Sequence, residues 1–153
     1  MQPINEDELR SDFESTILSI SPTFPAYREF AWRPVAHPAE VRGGTIRNYY
    51  VMIVPPAPDG QLYGSGQSQT GELRVFVCYS GISDEILDGM IPRDGRQIWH
   101  AIEARTSPNL DGFMGPSERE FGWVDARQDE DAEGQQWGYF TIRIQYLAPD
   151  HAA

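Results

Sequence analysis

A chain of 153 residues, 40% of them apolar, has the length of one compact domain. It can bury roughly two-thirds of its unfolded surface, so no disulfide or metal is needed as a staple. With 23 acidic against 12 basic residues the net charge is −11, which repels a phosphate backbone and argues against sequence-specific DNA or RNA binding. The single cysteine, Cys78, excludes an internal disulfide framework and any multi-thiolate metal site, and reads as a small buried residue on a strand.

The N-terminal stretch MQPINEDELR is acidic where a secretory signal would be basic and then apolar. No apolar run approaches the roughly 18 residues of a membrane span. The expected setting is the cytoplasm, without a membrane partner.

The first predicted element is a helix. Asn5 and Glu8 have the spacing of a capping box, and Ile4 and Leu9 that of a hydrophobic staple. Leu9, Phe13, Ile17 and Ile20 then recur every three or four residues, an apolar stripe that stops before Pro22. A first strand is expected over Arg28 to Ala36, placed at a sheet edge by Pro34, which cannot donate to a ladder. Strands are expected next near 46–54 and 71–80, in the runs TIRNYYVMIV and GELRVFVCYS, which are rich in β-branched and aromatic residues.

Between those runs lies a long loop, Pro55 to Gly71, with the sequence PPAPDGQLYGSGQSQTG. Hairpin connections usually take two to five residues, and loops of this length are commonly functional. It carries one charge, Asp59, and an isolated apolar pair, Leu62 and Tyr63. That composition suits an arm ordering against another protein better than a catalytic wall.

After the third strand, Ser83 is placed to cap a short turn of helix that Gly89 ends, and Pro92 suits the first position of a second helix carrying Ile98, Trp99 and Ile102. Two closing strands, 119–128 and 135–147, are joined by the polar tip DEDAEG. In the last of them Phe140, Ile142, Ile144 and Tyr146 alternate with Tyr139, Thr141, Arg143 and Gln145, which assigns one core face and one wet face. The expected fold is α+β: one domain over 1–148, an antiparallel sheet of about five strands with two main helices on one face, and a disordered tail at 149–153.

The motifs for chemistry are sparse. GSGQSQTG, at 64–71, has the composition of a phosphate loop but neither the GKS/T ending nor the dinucleotide glycine spacing. Asp129, Asp131, Glu133 and Gly134 fall at positions one, three, five and six of a calcium loop, yet position twelve is Phe140 instead of a bidentate Glu. His37, His100 and His151 have no partner at ligand spacing, and no serine sits in a G-x-S-x-G elbow. Neither catalytic residues nor a cofactor or metal site are assigned. Paired carboxylates remain open, because their separation is invisible in sequence.

The succession of an amphipathic helix, a strand, YYVMIV, a long loop, GELRVFVCYS, a helix containing IWHAIE and a closing WGYFTIRIQYL resembles the tail terminator family of tailed bacteriophages. The likeness runs from Asp7 to Leu147 and is one of pattern and order. It implies a virion protein of the tail or neck, assembled in the host cytoplasm, that forms a ring, usually six-fold, ends tail-tube growth and joins the tube to the head. The implied partners are copies of itself, the tail tube protein and head–tail connector proteins, with no catalytic residues to carry over. The chain departs from the pattern in its Pro-rich segment, Pro22 to Pro38, and in an insertion between Asn109 and Glu118.

For such a role, Leu62, Tyr63, Phe113 and Met114 are expected as exposed interface anchors, and Asp129, Asp131 and Glu133 as contacts of the polar tip. Local packing of the apolar residues under their own loops is the competing reading. The alternative function is a small acidic enzyme or ligand-binding domain with a pocket between helix 92–105 and the sheet, centred on His100.

Overall fold

The computed structural model describes residues 2–20, 31–36, 46–55, 68–80, 84–123 and 135–149. Helix α1 (Glu6–Leu18) is followed by strands β1 (Ala31–Pro34), β2 (Ile46–Val54) and β3 (Ser68–Ser80), helix α2 (Asp84–Glu103), and strands β4 (Phe113–Trp123) and β5 (Gln135–Leu147). The strands form one sheet in the order β1-β2-β3-β5-β4. This is the expected α+β class.

Helix α1 starts where its local signals put it. The Asn5 side chain accepts from the Glu8 amide at 2.9 Å, and Asn5 Nδ2 donates to Glu8 Oε1 at 3.1 Å. Leu9, Phe13 and Ile17 are fully buried, with Ile4 beside them in the core. Three further contacts bind the helix to the sheet: the Tyr49 hydroxyl donates to the Glu14 carbonyl at 2.7 Å, the Tyr146 hydroxyl to Glu6 Oε1 at 2.8 Å, and Phe13 meets Phe113 edge to face at 5.0 Å.

Strand β5 is the spine of the sheet, pairing with β3 along its whole length and with β4 on its other side. Phe140, Ile142, Ile144 and Tyr146 all point inward and are buried, as their alternation requires. From β3 they meet Leu73, Val75, Val77 and Tyr79, and from the helices Phe13, Ile17, Met90, Ile91, Ile98 and Ile102, in one continuous core. Each such side chain contributes about 1.5–3 kcal/mol when withdrawn from water. Both helices therefore lie on one face. Arg105, in the turn after α2, fastens them together with two bonds to Asp12, 3.0 and 2.9 Å.

Four expectations are corrected. The sheet is mixed: β1 runs parallel to β2, with Ala31 opposite Ile46 and Pro34 opposite Tyr49. Periodicity reports which face a residue takes but not the direction of its strand, so this pairing was illegible. Pro34 does sit on the edge strand, where its missing N–H interrupts no ladder. Second, β3 begins at Ser68 and the connection from β2 is shorter by four residues; Ser68, Gln69, Thr70 and Gly71 pair with Leu147, Tyr146, Gln145 and Ile144. Their loop-like composition is overridden by a partner strand long enough to template them. At Gly71 a Cβ would come within 2.8 Å of the Val54 carbonyl oxygen and 3.3 Å of the Tyr146 ring, so glycine is what lets these strands approach.

Third, the turn at Asp84 and the helix from Pro92 are one helix, with Pro92 in its interior and Gly89 within it. An interior proline costs about 3 kcal/mol, and buried Met90, Ile91, Ile98 and Ile102 on either side offset that cost. Fourth, β4 starts at Phe113, ahead of the expected 119, so residues 113–117 of the supposed insertion are strand. Gly115 and Pro116 give the segment a turn-like composition, but they sit at two bulges of an edge strand, between Phe113 and Gly115 and between Pro116 and Glu118. Gly115 takes a φ of 118°, which a glycine tolerates. Residues 28–30, 124–128 and the polar tip lie outside the described residues, as does the tail beyond Pro149.

Candidate functional site

The sheet has a helix-covered face and an opposite face, and each carries a group of side chains that composition did not reveal. On the opposite face, Tyr50 stacks on Phe76 with ring centroids 4.8 Å apart and planes 17° apart, and meets Trp137 edge to face at 5.9 Å. All three rings are half-buried, and Met52, on the same face of β2, is 43% exposed. In the adjoining row Asn48 and Cys78 pair across β2 and β3 and are fully buried, with Arg33 Nη1 donating to Asn48 Oδ1 at 2.9 Å. Around this apolar centre the charges are matched: Arg74 to Glu72 at 2.9 Å, Arg143 to Glu118 at 3.3 Å, and the Tyr139 hydroxyl to Glu120 at 3.2 Å.

Under α2 lies a buried polar network. Arg47 and Asp94, each 3% exposed, approach to 3.0 Å between Nε and Oδ2, and the Tyr79 hydroxyl donates to the same oxygen at 2.6 Å. The Arg47 guanidinium lies 4.9 Å above the Trp32 ring, whose Nε1 is buried and meets no acceptor among the described residues. Burial pushes the Asp94 carboxyl above the ordinary carboxylate range, although Arg47 and the Tyr79 hydrogen bond pull the other way. The Tyr79 hydroxyl is held well above its usual range, by burial first and then by the charge of Asp94. Enclosed in this way, the network joins α2 to β2 and β3.

A third group sits where α2 passes over the sheet edge. Gly95 presses on Phe121 so closely that a Cβ there would meet the ring at 2.5 Å. Arg119 lies on the same side of β4, its guanidinium 5.1 Å from the Trp99 ring and 5.6 Å from Phe121. Arg96, one turn before Trp99 on α2, is exposed.

The expected interface residues separate. Met114 is 42% exposed, as an anchor must be, but Phe113 is wholly buried against Phe13. Its exposure is therefore corrected. It opens β4 opposite Tyr146, inside the core, and packing is its role. Leu62, Tyr63, Asp129, Asp131 and Glu133 lie outside the described residues. His100 is exposed, with Nδ1 3.9 Å from Glu103 Oε1, and points away from the sheet side of α2. Cys78 is sealed in, its thiol pushed up to about 12 by burial, which keeps it protonated and unreactive. Among the described residues no group of three or more His, Cys, Asp or Glu side chains is placed to hold a metal, and no helix is long and apolar enough to cross a membrane.

Sequence reasoning missed the Arg47–Asp94 pair, although a signal was present. Arg47 shares the inward parity of Tyr49 and Val51, and Asp94 sits three residues after Ile91 and four before Ile98 on the apolar stripe of α2. A charge at an inward position on each of two elements points to a pair. No family model matches the chain, and no curated protein matches it significantly.

Proposed function

We propose that this protein is a structural subunit that closes into a ring at the head-proximal end of a phage tail, ends growth of the tail tube and joins tail to head. The observation that carries the reading is the half-buried Tyr50, Phe76 and Trp137 cluster with exposed Met52 on the face that no described helix covers. Aromatic and Met side chains gathered in one place on a sheet face that no described helix covers suit contact with another protein. The strand ends add to this. The β2–β3 connection leaves the end of the sheet where β5 finishes, and the β4–β5 connection leaves the opposite end. A subunit with reach at both ends can touch two neighbours in a head-to-tail ring.

The space between α2 and the sheet is where a pocket was expected under the alternative. It is occupied by Ile91, which sits against Gly138, by Ile98 and Ile102, and by the Arg47, Asp94 and Tyr79 network. That packing favours assembly over a ligand site there. Arg47 is buried and serves the core.

The test combines mass in solution with negative-stain images of tail tubes incubated with the protein. Closed rings capping the tubes are expected. Replacing 56–67 with a short Gly-Ser connection should leave the melting temperature nearly unchanged, because closure entropy varies weakly with loop length, and should abolish attachment. Single bound copies on the tubes, or full attachment by the shortened protein, would each overturn the reading.

A further inference from the structure

The arginines among the described residues are almost all accounted for. Among the described residues Arg10 pairs with Glu14, Arg47 with Asp94, Arg74 with Glu72, Arg105 with Asp12 and Arg143 with Glu118. Arg33 and Arg93 also have partners. Arg96 and Arg119 differ: neither makes an ion pair among the described residues, in a protein with nearly twice as many acids as bases. They share one surface. Arg119 lies over the Trp99 and Phe121 rings, 5.1 and 5.6 Å from their centres, and Arg96 is one helical turn from Trp99. The nearby acids point elsewhere, Glu103 toward His100, Glu118 to Arg143 and Glu120 to Tyr139.

An arginine resting on aromatic faces keeps its N–H edge open and loses little further freedom when a carboxylate arrives in its plane. Beside it, the half-buried Trp99 and Phe121 rings supply apolar area of the kind that anchors interfaces. The chemistry that completes this surface is a short segment bearing adjacent carboxylates. The chain itself displays one: α1 opens with Glu6, Asp7 and Glu8, of which Asp7 and Glu8 are exposed, and has no basic residue in its last turn.

We propose that the Arg96, Trp99, Arg119 and Phe121 surface docks the acidic first turn of α1 of a second copy of this chain, with Asp7 and Glu8 meeting the two guanidinium groups. Donor and acceptor are different patches, one on α2 and β4 and the other on α1, so the contact is head-to-tail and propagates from copy to copy. This deepens the ring reading and rests on it, since it names the joint between neighbours.

The experiment is a charge swap read by sedimentation velocity over a concentration series, with each variant also imaged on tail tubes. Arg96→Glu with Arg119→Glu should weaken self-association at least tenfold, and so should Asp7→Arg with Glu8→Arg. The four changes together should restore it. Ala104→Glu with Asn109→Glu adds acidic charge at two exposed positions of the turn after α2, outside both patches, and should leave association within about twofold, since exposed charges away from a contact are screened by salt. Loss in that control equal to loss in the first pair, failure of the fourfold variant to recover, or a wild-type protein that stays monomeric throughout would overturn the contact. Rings that persist on tubes with Arg96→Glu and Arg119→Glu would sink the contact and leave the assembly reading standing, whereas wild-type single copies on tubes would sink the assembly reading itself.

Discussion

Removing the Asp94 carboxylate tests whether the buried network is what joins α2 to the sheet. In Asp94→Ala, Arg47 loses the oxygen 3.0 Å from its Nε and Tyr79 loses its acceptor at 2.6 Å, both in the dry interior. Breaking a buried ion pair from one side costs about 3–5 kcal/mol, because a charge is left without its counterion. Against a typical stability of about 5–15 kcal/mol that is a large fraction, and at roughly 2–4 °C per kcal/mol it lowers the melting temperature by about 10 °C. Replacing both partners, Arg47→Met with Asp94→Leu, removes the two desolvated charges together and should return to within about 1 kcal/mol of the parent. Arg47→Met alone should be milder at pH 5 than at pH 8. The Asp94 carboxyl already lies above its ordinary range, and without Arg47 it binds its proton more tightly still. A carboxyl whose folded pKa is raised loses stability as pH rises through that window. Urea unfolding followed by circular dichroism, with Asp94→Leu also measured alone, gives all four corners of the cycle. If Asp94→Ala costs under about 1 kcal/mol, or if the two single changes simply add, the network does not couple these elements and the reasoning is wrong.

Two glycines in α2 should respond in opposite directions to alanine: Gly89 is exposed, so Gly89→Ala should stabilise by about 0.5–1 kcal/mol, while Gly95→Ala would drive a methyl to 2.5 Å from the Phe121 ring and should destabilise despite its better helix propensity. Thermal melts of the pair decide it, and a stabilised Gly95→Ala would refute the packing of α2 on β4. Alkali should unfold the protein early, because the Cys78 thiol and the hydroxyls of Tyr49, Tyr79 and Tyr146 are all raised, chiefly by burial. The sign is that of groups neutral in the fold and ionised when unfolded: stability is intact below the unfolded pKa and declines as pH climbs above it. For Cys78 alone the decline is about 1.4 kcal/mol per pH unit above its ordinary value near 8.5, up to about 12. Urea midpoints from pH 8 to 11 should fall steadily, and Cys78→Ala should flatten the first part of the fall.

What local chemistry determines was legible along the chain. The start of α1 follows from Asn5 and Glu8, which satisfy each other without help from the rest of the fold. The inward face of β5 follows from a two-residue alternation that has only one consistent burial. The burial of Cys78 and the edge position of β1 were also readable, from composition and from Pro34. The Tyr50, Phe76 and Trp137 cluster was only half legible: alternation puts Tyr50 and Phe76 on one face, but Trp137 joins them through the β3–β5 register. The tertiary structure decided everything that depends on a distant partner. It carried α2 through Pro92, because buried neighbours offset the lost backbone bond. It drew Ser68 to Gly71 and Phe113 to Glu118 into strands, because β5 offered unpaired backbone on both sides. It turned Phe113 inward onto Phe13, and it set Arg47 against Asp94, residues 47 positions apart whose charges are tolerable in the core only because the fold makes them neighbours.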